Sequence, residues 1–299
     1  MNNKNHTFAY VAAIISSILF GLSFLFSKIA LAVASPLALV AFRFLLAFTV
    51  MSALIMFKVF KVNFKNKPIK ELILLCLAEP VVYFIFETYG IRETSSSIAG
   101  LMLSIIPIAV TILGVYFLKE IPSLKRIMFI VVSVSGVAII GAMSASNNAE
   151  TSLRGIILLL GAVTCAGLFT IISRKASKHF TPIEITYSMM GSGAVFFNVM
   201  WISNLIIHGE ITTYFEPLRN SEFLIPVLYL GILSSIVAYL LINYTLSKIE
   251  ASNTSVFANI STIVSVVAGV VILKETFHLY DFIGSALILI GVWGTNRFK

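Results

Sequence analysis

KELILLCLAEPVVYFIFETYGIR, residues 70–92, is the stretch from which the rest of the chain is read. It is apolar and long enough to cross a bilayer, whose hydrocarbon asks for about 20 residues of helix. Glu79 nevertheless sits near its middle, Pro80 follows directly, and Glu87 lies two turns further on. A carboxylate at the centre of a crossing costs roughly 2.5–3.5 kcal/mol on insertion scales, so it is kept only where protein or water satisfies it. Glu79, Tyr83 and Glu87 are spaced i, i+4, i+8 and in a continuous helix share one face. That polar stripe predicts the wall of an internal cavity.

The composition sets the class. The chain has 299 residues, 59% of them apolar and 11% charged, with a mean hydropathy of +1.00. Soluble domains carry about 25% charged residues, so this chain cannot cover a water-facing surface and reads as an integral membrane protein. Long apolar runs argue for helices, because barrel strands alternate polar and apolar over about ten residues. Cys76 and Cys165 lie inside apolar segments and read as small core residues, with no disulfide or metal spacing. The net charge of +8 does not imply nucleic acid, because the basic residues sit in short loops between crossings. Lys4, the apolar run after it and Ala32-Val33-Ala34 imitate a cleavable leader. The run 8–26 is too long for one, and it is read as a retained first helix.

Ten crossings fit: 8–32, 36–57, 69–91, 95–118, 124–142, 155–173, 182–207, 222–246, 251–273 and 280–296. With the N-terminus inside, fifteen of the 21 Lys and Arg fall in inner segments, four in outer segments, and Lys28 and Arg43 within crossings. This asymmetry predicts a multi-pass protein of the cell membrane with both termini cytoplasmic.

The chain also repeats itself. Gly21-Leu22, Ser27-Lys28-Ile29-Ala30 and Pro36 align on Gly167-Leu168, Ser173-Arg174-Lys175-Ala176 and Pro182, an offset of 146. Tyr89, Ser97, Leu118-Lys119-Glu120 and Gly136 align on Tyr244, Ser252, Leu273-Lys274-Glu275 and Gly291, an offset of 155. The division is 1–147 and 148–299, five crossings each. Five is odd, so the second unit enters the membrane upside down. The expected fold is an all-α membrane protein of ten transmembrane helices in two inverted five-helix repeats, a transporter device.

Two stretches carry a family resemblance: SSSIAGLMLSIIPIAVTILGVYFLKE, residues 95–120, and ASNTSVFANISTIVSVVAGVVILKE, residues 251–275. The sequence resembles the EamA-type members of the drug/metabolite transporter superfamily, which show an alanine-rich helix, a mid-helix proline and a closing Lys-Glu in each half. The resemblance covers essentially the whole chain. It implies a ten-helix inverted-repeat exporter or exchanger of small metabolites, with a central cavity lined by the inner helices of both halves. The second half departs from the pattern at Thr262, where the family often has proline.

Glu79 is the first candidate, as a proton-coupling carboxylate or a counter-ion for an amine; the bland alternative is a carboxylate bonded to neighbouring helices. Pro80 removes one backbone hydrogen bond and predicts a kink beside it, and Pro107 a second hinge. Glu87, Arg43 and Lys28 fall in the outer third. A buried Arg43–Glu87 ion pair is the simplest way to neutralise both, as a structural clamp, an outer gate or an anion-binding patch. Lys28 alternatively snorkels to headgroups. Ser104 and its repeat partner Asn259, with Tyr239, Asn243 and Asn253, are weaker candidates, since interhelical hydrogen bonding explains most such residues. Trp201 and Trp293 read as lipid-facing or interfacial packing rather than a ligand box, and Gly191, Gly193 and Gly269 as close helix packing.

The expected function is secondary active transport: export of small organic metabolites, amino acids or related amines, by alternating access, with protons as coupling ion. No cofactor, metal or nucleotide motif is present in the sequence. The partners are the substrate and the bilayer, and a homodimer is compatible. Two other classes stay open: a passive channel or facilitator, and a non-transporting membrane sensor or enzyme.

Overall fold

The computed structural model describes residues 3–118, 123–146, 151–251, 254 and 256–297. Among these the chain is helical without strands. The helices are α1 (Asn3–Val33), α2 (Pro36–Met56), α3 (Ile69–Cys76), α4 (Tyr83–Arg92), α5 (Ser96–Leu103), α6 (Ile106–Leu118), α7 (Leu124–Ser146), α8 (Leu153–Ala176), α9 (Pro182–Ile207), α10 (Ser221–Leu228), α11 (Tyr239–Lys248), α12 (Ala258–Val271) and α13 (Leu279–Arg297). A kinked segment (Leu77–Val82) joins α3 to α4, and a wider π-helical stretch (Tyr229–Ala238) joins α10 to α11. Seven apolar helices of the described residues are long enough to cross a bilayer, and Ala258–Val271 and Leu279–Thr295 are shorter apolar helices.

Helix starts follow local chemistry. Ser35 caps α2 by accepting from the Ala38 N–H, with Pro36 in the first turn, where its missing donor costs nothing. Thr181 and Glu184 form a reciprocal capping box on α9, again with proline first. Ser95 and Ser152 cap α5 and α8 in the same way. Each such cap stabilises its helix by about 1 kcal/mol.

The crossing quoted above is not one continuous helix. Glu79 has extended backbone angles (φ −149°, ψ 121°), and the Glu79–Pro80 bond is cis. The stripe expected at i, i+4, i+8 is therefore broken at its first member. Tyr83 and Glu87 share a face of α4, whereas the break re-aims Glu79. The fourth crossing is interrupted at Ser104–Ile105, just before Pro107, which occupies the first turn of α6. Its counterpart α12 runs unbroken through Thr262, whose hydroxyl donates to the Gly100 carbonyl of α5 (3.0 Å).

Three of the helix pairs that meet across the two halves join helices at matching places, and in each the contacts rise along one helix as they fall along the other. On α2 and α9, Asn198 donates to the Ala41 carbonyl, Gly193 faces Phe44, Gly191 faces Phe48, and Ser52 meets Tyr187. On α7 and α13, Gly284 lies against Ile140, Gly136 against Ile288 and Gly291 against Ser133. On α5 and α12, Gly100 faces Ser265 and Gly269 faces Ser97. All three pairs are antiparallel. Small residues let these backbones approach closely, which matters where lipid removes the hydrophobic driving force between helices. The outward sides of α7 and α9 expose Met128, Val131, Val199 and Ile206. Trp293 is 61% exposed, and Trp201, 8% exposed, packs in the apolar core.

Candidate functional site

A cavity of about 120 Å³ opens in the middle of the bundle. Its wall comes from α1 (Ser17, Phe20, Ser23, Phe24), α2 (Arg43), the break at Glu79, α4 (Tyr83, Phe84, Glu87), the interruption between α5 and α6 (Leu103, Ile106), α8 (Ala166, Phe169, Thr170), α11 (Tyr239, Ile242, Leu246), Thr254 and α12 (Ala258, Ser261). Neither α7, α9 nor α13 contributes.

Five of the predicted residues meet here: Arg43, Glu79, Tyr83, Glu87 and Tyr239. All are buried. Glu79 Oε1 accepts a hydrogen bond from the Tyr239 hydroxyl of the second half, while Oε2 is sealed from solvent and has no partner among the described residues. Thr88 donates a long hydrogen bond to Glu87 Oε2 (3.4 Å). Pro80 and Pro107 stand beside the wall, at the two helix interruptions, rather than in it.

The expected Arg43–Glu87 ion pair is not formed. Arg43 Nε donates to Ser235 Oγ (2.8 Å) and Nη2 to Ser234 Oγ (2.9 Å), and the guanidinium carbon lies 4.4 Å from the Phe84 ring centre. Two neutral hydroxyls of the second half occupy its Nε–Nη2 edge, and an aromatic face covers it. Lys28 neither joins this group nor lies free: at the end of α4 it donates to the Ile91 carbonyl (3.2 Å) and to that of Thr94.

Ser104 and Asn259 do not line the cavity. Ser104 is turned back on the Leu101 carbonyl (2.7 Å), as a serine at a helix end readily is, and Asn259 Oδ1 is buried without a partner. Asn243 ties three helices together, accepting from Ser173 (2.7 Å) and donating to Thr186 (3.0 Å). Lys119, Glu120 and Asn253 lie outside the described residues. Glu275, the second-half member of the Lys-Glu motif, accepts from the N–H groups of Ser96 (2.6 Å) and Ser97 (3.0 Å) and from the Ser97 hydroxyl (2.6 Å). It is a cap on α5 rather than part of the cavity.

Sequence reading missed Ser17, Ser23, Thr170 and Ser261, along with the apolar wall. The repeat offsets held the signal. At 146, Phe20 matches Ala166, Ser23 matches Phe169 and Phe24 matches Thr170; at 155, Phe84 matches Tyr239, Glu87 matches Ile242, Leu103 matches Ala258 and Ile106 matches Ser261. Both members of each of these pairs line the cavity.

Comparison with known proteins agrees with this architecture. The chain is similar to the Bacillus subtilis (strain 168) protein named Uncharacterized transporter YcxC, 39% identical over 296 residues that cover 99% of this chain and 95% of that one. An Archaeoglobus fulgidus protein named Uncharacterized transporter is 28% identical over 274 residues, covering 91% and 93%. A solved crystal structure shares the fold, with a TM-score of 0.65 at 17% identity over 96% of this chain and 95% of that one. The EamA-like transporter family matches twice, over residues 7–142 and 153–297. With buried ionisable groups around a central cavity and a family match spanning both halves, this chain belongs to the EamA-like transporter family and is a multi-pass membrane transporter.

Proposed function

We propose that the chain is a secondary transporter built as two inverted five-helix units, 1–147 and 148–299, which export small organic metabolites, amino acids or related amines, by alternating access. The double family match, the antiparallel packing of equivalent helices and the paired cavity positions support the repeat. Equivalent helices that pack antiparallel imply a two-fold axis across the bundle, the symmetry an inverted repeat requires. The Lys and Arg asymmetry supports cytoplasmic termini in a cell membrane.

The observation that carries the mechanism is the sealed, unpartnered Oε2 of Glu79 in the cavity wall. Such an atom is satisfied by a proton on the carboxyl or by a cationic ligand against the carboxylate, but not by both at once. Glu79 then alternates between the two, with the Tyr239 hydroxyl holding its other oxygen in place. Exchange of proton for substrate follows. The test is flux of labelled leucine and isopentylamine into proteoliposomes under a pH gradient. Wild-type protein accumulates one or both against their gradients, and Glu79→Gln abolishes the gradient-driven part. Coupled flux undiminished in Glu79→Gln removes Glu79 from the mechanism.

A further inference from the structure

Arg43 lines the cavity with no anion bonded to it. Of the five N–H donors of a guanidinium, the one on Nε goes to Ser235 and one of the two on Nη2 to Ser234, while Nη1 donates to no described residue, so the Nη1–Nη2 end of the fork is open. The residue is 2% exposed. A cation this far from water is ordinarily held by a hydrogen-bonded anion, because its desolvation costs several kcal/mol. Here Phe84 covers one side and the serines fix the plane, so the fork is oriented before any ligand arrives. A planar fork presents paired donors that match a carboxylate, which a point-charge ammonium does not.

The same cavity holds the opposite vacancy, the unpartnered Glu79 Oε2. One wall group therefore lacks an anion and another lacks a cation. Most of the remaining surface is apolar: Phe20, Phe24, Leu103, Ile106 and Phe169. A polar ligand side chain against these residues would lose its hydration without replacement.

We propose that Arg43, cradled by Ser234 and Ser235, is a carboxylate-binding residue, so that the ligands are zwitterions with apolar side chains, neutral α-amino acids, rather than the amines that lack the carboxylate. The inference rests on the cavity being the transport site, and the test separates the two. It uses the purified full-length chain and two matched sets of probes. One set is leucine, isopentylamine and 4-methylpentanoate; the other is phenylalanine, phenethylamine and 3-phenylpropanoate. Binding is read by calorimetry and by the ligand-induced shift in thermal unfolding.

The amino acid binds more tightly than either single-charge analogue, by about tenfold or more, the worth of one charge-assisted hydrogen bond. Arg43→Gln loses the preference for amino acid over amine while still binding the amine; Arg43→Lys keeps the charge but not the fork and retains a weakened preference. Wild-type protein that binds neither amino acid, or binds the amine as well as the amino acid, overturns the proposal without recourse to any variant. So does Arg43→Gln with its preference intact, which would leave Arg43 a counter-charge for Glu87 only. Ala166→Trp fills the cavity. Amino-acid binding that survives it shows that the site lies elsewhere, and then the transport reading of the cavity fails. Amine binding that is preferred by wild type and lost in Ala166→Trp keeps the cavity and discards the zwitterion.

Discussion

The crossing at residues 69–92 and that at residues 221–248 occupy matching places in the two halves, and both depart from regular α-helix at mid-length, the first by a kink and the second by a π-helical stretch. The first is broken at Glu79 and brings two carboxylates, Glu79 and Glu87, to the cavity; the second has no break and carries Ser234, Ser235 and Tyr239. The ionisable groups of the cavity all belong to the first half except for the tyrosine, and their bonded partners belong largely to the second. Arg43 is held by Ser234 and Ser235, and Glu79 by Tyr239. On the proposed repeat, the difference teaches that repetition supplies the shape of the pocket while divergence supplies its chemistry. π-turns free backbone groups and re-aim side chains, and they are frequent where function resides.

The largest expected effect breaks this asymmetry directly. Glu79→Gln abolishes gradient-driven flux, and moving the carboxylate to the matching place with Ser234→Glu in that background does not restore it. The new acid would sit on the Arg43 fork, away from the Tyr239 hydroxyl. Recovery of coupled flux in the double variant would show that only the presence of an acid matters and that the unequal division of groups has no role.

Next in size is the clamp between the halves. Ser234→Ala with Ser235→Ala removes both bonded partners of a buried cation, and stability falls by about 3 kcal/mol, since hydrogen bonds to charged groups contribute roughly 1.5–3 kcal/mol each. Adding Arg43→Met returns much of that loss, because the buried charge goes with its partners. Unfolding in detergent, read as a double-mutant cycle, checks the coupling. Additive losses would show that the serines and Arg43 act separately.

The smallest effect sharpens the contrast between cavity and frame. Glu275→Gln weakens a charge-assisted cap on α5 that crosses between halves, with a loss of about 1 kcal/mol in thermal unfolding. It leaves the ratio of leucine to isopentylamine binding unchanged. A changed ratio would place Glu275 in communication with the cavity.

Length, apolar runs and the scarcity of charge were enough to identify an integral membrane protein made of helices, because a bilayer leaves few ways to satisfy a backbone. The interruption near Pro80 was legible too, since proline's clash with the preceding turn acts locally. So were Glu79, Tyr83 and Glu87 as cavity residues, because an acid in hydrocarbon has to find company. Their common helical face was not, because it assumed regular backbone at the one residue that departs from it. Ser17, Ser23, Thr170 and Ser261 escaped because a lone hydroxyl in an apolar helix can bond its own preceding turn and leave no trace of its neighbours.

The sequence by itself determined the class, the run of helices, the repeat offsets and the presence of costly charges at depth. Only the tertiary structure decided who satisfies whom. Arg43 turned to two serines about 190 positions away rather than to Glu87, and Glu79 turned to Tyr239. The physical reason is range: helix formation and membrane insertion are settled by neighbours along the chain, whereas a hydrogen bond between side chains is settled within about 3 Å by the packing of distant helices.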